Sequence, residues 1–171
     1  SYSAATSVIL KDLIEDKIDF GFCSIRENEN PEIEMIPLME YPIKLIVNEK
    51  DSMCEKKQLN SVDLMTEPGI SYTEGSVMDR ELQKFFIEHG IIPDIRYRTS
   101  SEEIQNFVAC GLGWAFIAQN GTPIMKGLKI LEMPEMTLKR ATCLAMRKDR
   151  QLSKNAQKFF DFVLGYNKKF L

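Results

Sequence analysis

Two short stretches of this chain combine small hydroxyl side chains with a change of hydrophobic period. Tyr72-Thr73-Glu74-Gly75-Ser76 follows the strand-forming run Ile70–Tyr72, and Thr99-Ser100-Ser101 follows Ile95–Tyr97; each leads into an amphipathic segment. In a parallel α/β sheet the carboxyl ends of the strands point to one edge. Hydroxyls and unpaired backbone N–H groups gathered there hold a small anion or carboxylate. The same residues also serve as helix caps, and the two roles are compatible. Tyr72, Thr73, Gly75, Ser76, Ser100 and Ser101 are therefore candidate ligand contacts.

Other chemistry finds less support. The chain has one histidine, which excludes any mechanism needing two imidazoles. That residue, His89, precedes Gly90 at a helix end, where a protonated ring complements the helix dipole. No serine sits in a Gly-x-Ser-x-Gly turn, so a hydrolase triad has no basis. Gly111-Leu112-Gly113 follows a helix and precedes a strand, the reverse of a phosphate cradle, and reads as a helix stop. The pairs Glu102-Glu103 and Asp16/Asp19 read as solvated surface, and Phe85-Phe86 and Phe159-Phe160 as core. The four cysteines, Cys23, Cys54, Cys110 and Cys143, contain no Cys-x-x-Cys pair. They read as reduced thiols of a cytosolic protein, with Cys23, Cys110 and Cys143 as small buried hydrophobes. No metal site and no cofactor are expected.

The elements that must position the hydroxyl clusters follow from periodicity and caps. Thr6 or Ser7 opens a helix with Ile9, Leu10, Leu13, Ile14 and Ile18 on one face. Strands are expected at Phe20–Cys23, Ile33–Leu38, Ile43–Val47, Ile70–Tyr72, Ile95–Tyr97, Trp114–Ala118, Leu128–Leu131 and Ala141–Met146. Helices lie between them: a short one from Asn60 or Ser61, one opened by Ser76 and ended by Gly90, and one with a Ser100/Glu103 capping box. Thr122-Pro123 starts a single turn closed by Gly127, and Ser153 caps a last helix that Gly165 stops. The alternation implies an α/β fold with mainly parallel pairing.

Composition bounds the function. At 171 residues with 44 % hydrophobic and 27 % charged residues, the chain is a globular protein of one domain or two small lobes. Lys plus Arg number 22 against 25 Asp plus Glu, a net charge of −3, which disfavours nucleic-acid binding by this chain alone. No apolar run approaches the ~20 residues of a membrane helix. The start at Ser1, without Met, suggests a fragment of a longer protein.

Five stretches in order resemble the effector-binding domain of LysR-type transcriptional regulators. They are Leu13-x-x-x-Lys17-Ile18-Asp19-Phe20-Gly21-Phe22; Ile36-Pro37-Leu38 with Tyr41-Pro42-Ile43-Lys44-Leu45-Ile46-Val47; and Val62-Asp63-Leu64 with Glu67-Pro68-Gly69-Ile70. The others are Glu103 to Ile117 around Val108-Ala109-Cys110-Gly111-Leu112-Gly113, the most specific, and Leu152-Ser153-x-x-Ala156-x-x-Phe159-Phe160-x-Phe162. The chain departs from the family at Asp51-Ser52-Met53, where His-Pro is usual, and at Ala118-Gln119, where a proline often stands.

The resemblance implies two Rossmann-like lobes joined by two crossover strands, a type II periplasmic-binding-protein-like fold whose first strand–helix of lobe I is missing here. Lobe I would be residues 1–43 and 134–171, and lobe II residues 44–133. An effector, expected to be a small anion, would lie in the cleft between lobes, contacting the Tyr72–Ser76 turn, Ser100 and Ser101, with Ser24 and Arg26 from lobe I. Arg26 can pair bidentately with a carboxylate or simply face solvent. The implied full-length protein is a homodimer or higher homo-oligomer that reaches DNA only through an absent N-terminal winged helix-turn-helix, with no membrane partner. A periplasmic-type solute-binding protein is the alternative. Enzymes on similar folds, such as prephenate dehydratase or hydroxymethylbilane synthase, find no catalytic constellation here.

Overall fold

The change of period before Phe20 is where the first helix gives way to the first strand. In the computed structural model, which describes residues 6–24 and 30–167, that helix is α1 (Thr6–Ile14) and the strand is β1 (Gly21–Ser24). The chain divides into two compact units: Ser1–Glu40 with Arg140–Leu171, and Tyr41–Lys139. It passes between them within β2 (Ile33–Asn48) and at the start of β7 (Lys139–Arg147).

In the first unit β1 pairs antiparallel with β7, with Cys23 opposite Cys143 and Ser24 opposite Thr142. Leu13, Cys23, Ile33, Cys143 and Ala145 form its core, and Ile9, Leu10, Ile18 and Met35 pack against them. The unit closes with α5 (Lys154–Asn167), where the Ser153 hydroxyl accepts from Ala156 N–H at 3.2 Å. Contrary to expectation, the helix runs through Gly165; one exposed glycine costs a helix only about 1 kcal/mol relative to alanine. Phe159 is half-exposed rather than core; it meets Phe20 and Phe22, at centroid distances of 5.6 and 6.3 Å.

The second unit contains the helix-linked series β3 (Gly69–Tyr72), α3 (Val77–Glu88), β4 (Ile95–Thr99), α4 (Ile104–Ala109) and β5 (Trp114–Ala118). A short α2 (Asp63–Thr66) precedes it and β6 (Leu128–Leu131) follows. β3 pairs parallel with β4 and β5, whereas β2 pairs antiparallel with β5 and β6. Pairing is thus mixed rather than mainly parallel, because a parallel return needs a long crossover, and α3 and α4 supply crossovers only among β3, β4 and β5. The two strands expected at Ile33–Leu38 and Ile43–Val47 are one. Pro37 and Pro42 fit extended backbone and lack only a ladder donor, and Pro42 still accepts from Gln119 N–H at 2.9 Å. No helical turn forms at Thr122-Pro123.

Trp114, Phe85 and Phe116 are the largest fully buried side chains of this unit, with Trp114 and Phe116 centroids 5.7 Å apart. Gly113 shows why the Gly-Leu-Gly step ends α4 as it does. Its φ of +146° disfavours any side chain, and a Cβ there would collide with the Pro68 carbonyl, which accepts from Trp114 N–H at 3.0 Å.

Candidate functional site

Parallel pairing of β3 with β4 sets Tyr72 opposite Thr99. The residues that follow each strand therefore emerge side by side at one edge of the second unit. Thr73 N–H donates to the Thr99 carbonyl at 3.0 Å, and its hydroxyl reaches the same oxygen at 3.4 Å. Thr73 and Gly75 are exposed, and Ser76 half-buried, on the β3 side; Ser100 is half-buried and Ser101 exposed on the β4 side. The structure brings these five together.

The turn is rigid because of residues that sequence reasoning missed. Ser76 caps α3 by accepting from Asp79 N–H at 3.2 Å. Asp79 is 1 % exposed, and its carboxylate accepts from Gly75 N–H and Gln83 Nε2 at 3.0 Å each and from Arg98 Nη1 at 2.5 Å. Arg98 also donates to the Tyr72 carbonyl at 3.1 Å, so one guanidinium ties β4 to β3 and to α3. Burial pushes the Asp79 carboxyl up. The hydrogen bonds from Arg98 and Gly75, with the Arg98 charge, outweigh it and hold the group below the ordinary carboxylate range. Ser76-x-x-Asp79 has capping-box spacing, a signal that could have exposed Asp79; Arg98, a charge inside a strand, was the other.

Three expectations are corrected at this edge. The N–H groups of Thr73, Gly75 and Ser76 are consumed by Thr99, Asp79 and Thr73 respectively, so these three amides are not free for a ligand. Tyr72 is buried and its hydroxyl donates inward to the Phe116 carbonyl at 2.9 Å, so it supports the edge rather than facing a ligand. The Ser100/Glu103 capping box does not form. α4 starts only at Ile104, and the Glu103 carboxylate instead accepts from the Thr99 hydroxyl at 2.9 Å, leaving the Ser100 and Ser101 hydroxyls without a hydrogen bond among the described residues. Arg80, exposed beside the turn, donates to the Gly75 carbonyl at 2.5 Å.

In the first unit Ser24 is buried at the end of β1, and its hydroxyl accepts from Arg140 Nε at 3.0 Å and Nη2 at 2.8 Å. Arg140 has no carboxylate partner among the described residues, and it too was missed; its place at the head of an apolar strand is the only hint in the sequence. Arg26 lies outside the described residues. His89, as expected, ends α3; its Nδ1 lies 2.9 Å from the Phe85 carbonyl. Cys110 is exposed rather than buried.

The family model described as the LysR substrate binding domain matches residues 2–168. This chain belongs to that family. Among solved structures, the LysR-type fold is shared with the effector-binding domain of QuiR in complex with shikimate, at 26 % identity and TM-score 0.86, covering 98 % of this chain and 80 % of that one. The Synechocystis CcmR regulatory domain in complex with 2-PG matches at 23 % identity and TM-score 0.81, covering 96 % and 81 %. A curated relative is the HTH-type transcriptional activator CmpR of Synechocystis sp., 24 % identical over 163 residues. This LysR-family chain is matched over 93 % of its length and spans about half, 53 %, of that activator. The solute-binding-protein alternative is not favoured. No helix among the described residues is long and apolar enough to cross a membrane.

Proposed function

We propose that the chain is the effector-sensing part of a LysR-type transcriptional regulator and that its effector is a small organic anion. The observation that carries this reading is the Tyr72–Thr99 register, which gathers Thr73, Ser76, Ser100 and Ser101 at one strand-end edge. Their hydroxyls orient the ligand by hydrogen bonds to its carboxylate oxygens. Gly75 and Tyr72 shape the turn. The shikimate bound by QuiR, a carboxylate, supports this ligand class. The chain binds its ligand without consuming it and acts in the cytoplasm. In the intact protein a winged helix-turn-helix reads DNA, and copies associate as homodimers or larger homo-oligomers. The effector shifts the regulator between two states only by the difference in its affinity for them.

A thermal-shift series with shikimate and other small carboxylates tests this. At a hundredfold excess over Kd a binder gains about 2.7 kcal/mol, a rise of several degrees for a chain of this size. Ser100→Ala and Ser101→Ala should each weaken the responding acid at least tenfold with little change in the ligand-free melting temperature. If no acid responds, or if both variants bind as the parent does, the assignment fails.

A further inference from the structure

Cys23 and Cys143 face each other directly across the β1–β7 pair, with their sulfurs 3.6 Å apart. Directly opposed residues in antiparallel strands have Cα atoms about 4.5–5.5 Å apart, inside the range that accommodates a disulfide. Both side chains are buried, at 6 % and 0 % exposure, and both are free thiols. We infer that they form a thiol–disulfide couple, a site at which hydroperoxides modify this chain by locking β1 to β7.

Two further observations favour reaction over inert packing. The sulfurs share a hydrogen bond, which together with burial pushes the Cys23 thiol up; at Cys143 the same hydrogen bond outweighs burial and pulls the thiol down, so the pair divides into a proton holder and a better nucleophile. Access follows from topology. β1 is four residues long and, among the described residues, pairs with β7 alone, so opening one short ladder reaches both sulfurs. The other two cysteines lie elsewhere, Cys54 partly buried and Cys110 exposed, both in the second unit.

The step balances with a hydroperoxide as oxidant. The first thiolate attacks the terminal peroxide oxygen; the O–O bond breaks, an alcohol or water leaves, and a sulfenic acid remains. The second sulfur attacks that sulfur, the S–S bond forms, the S–O bond breaks, and hydroxide departs with the thiol proton as water. Two thiols are oxidised by two electrons, and one peroxide is reduced. The movement required is modest, since closing from 3.6 Å to a bond of about 2 Å needs less than 2 Å in all.

The test uses the whole chain carrying Cys54→Ser and Cys110→Ser, treated while folded with hydrogen peroxide and mapped by mass spectrometry without reductant. The expected result is loss of both remaining thiols, a Cys23–Cys143 cross-linked peptide, and full recovery of thiols with dithiothreitol. If that variant does not fold, the same mapping on the unsubstituted chain looks for the same peptide. Persistence of both thiols at peroxide levels that oxidise a free cysteine peptide overturns the inference. So does a link that appears only in denaturant.

Discussion

The two units hold their polar strand ends by opposite means. In the second, a carboxylate with 1 % exposure draws four donors or near-donors from three elements, and an aromatic core of Trp114, Phe85 and Phe116 lies beneath. In the first, among the described residues, a core cluster of five buried residues carries one hydroxyl–guanidinium contact, and charges pair at the surface, Asp16 with Arg147 at 3.1 Å and Arg150 at 2.9 Å. The contrast separates geometry fixed by burial from geometry fixed only by proximity. A buried charge forces every neighbour into place, because an unpaired partner there costs more than any alternative arrangement gains.

The sharpest way to break the comparison is at the glycines. Gly113→Ala puts a side chain at φ +146° and into the Pro68 carbonyl, which is backbone and cannot yield. A loss of roughly 3 kcal/mol or more is expected from denaturant unfolding. Gly21→Ala in the first unit meets the Ile9 Cγ2 methyl rather than backbone, at a glycine whose φ is not positive, so α1 must shift to admit it and the loss should be smaller, about 1–3 kcal/mol. Equal losses would mean that the first unit is packed as rigidly as the second.

Next in size is Asp79→Ala, expected to lose about 2 kcal/mol, a figure kept low because the Arg98 side chain is 39 % exposed and water takes over part of its partner's role. Asp79 is held below its usual range in the folded state, so its contribution is complete above the unfolded carboxyl value of about 4 and disappears as pH falls through the folded value. The stability gap between parent and Asp79→Asn should therefore be constant from pH 7 down to about 5 and narrow steadily below 4 in urea titrations. A gap that widens on acidification contradicts the assignment.

Smallest is Asp16→Asn. Its carboxylate is 59 % exposed, and asparagine tolerates the φ of +57° found there. The melting temperature should change only slightly, and adding salt should remove what difference there is.

Much of this fold was readable because local rules and tertiary structure agree. The Ser76 cap, the end of α3 at Gly90, the Trp114 strand and the ordered family segments all depend on neighbours within a few residues. What escaped depends on register. Arg98 meets Asp79 across 19 positions, Arg140 meets Ser24 across 116, and Cys143 faces Cys23 across 120. No periodicity encodes such pairings; they exist only once strands have aligned. Pro42 misled in the other direction, since a proline that breaks a helix leaves an extended chain intact. The hydroxyl cluster stood between these cases: the residues were visible, but not that the turn's own amides were already spent.

The second unit is one uninterrupted stretch, and Ile43 N–H donates to the Leu138 carbonyl at 3.0 Å, close to both of its limits. Its entry and exit are thus stapled together by its own backbone. Such a segment is a portable cassette, suited to transplantation into a foreign loop or to rejoining of its ends, whereas the first unit, assembled from two distant pieces, has no such freedom.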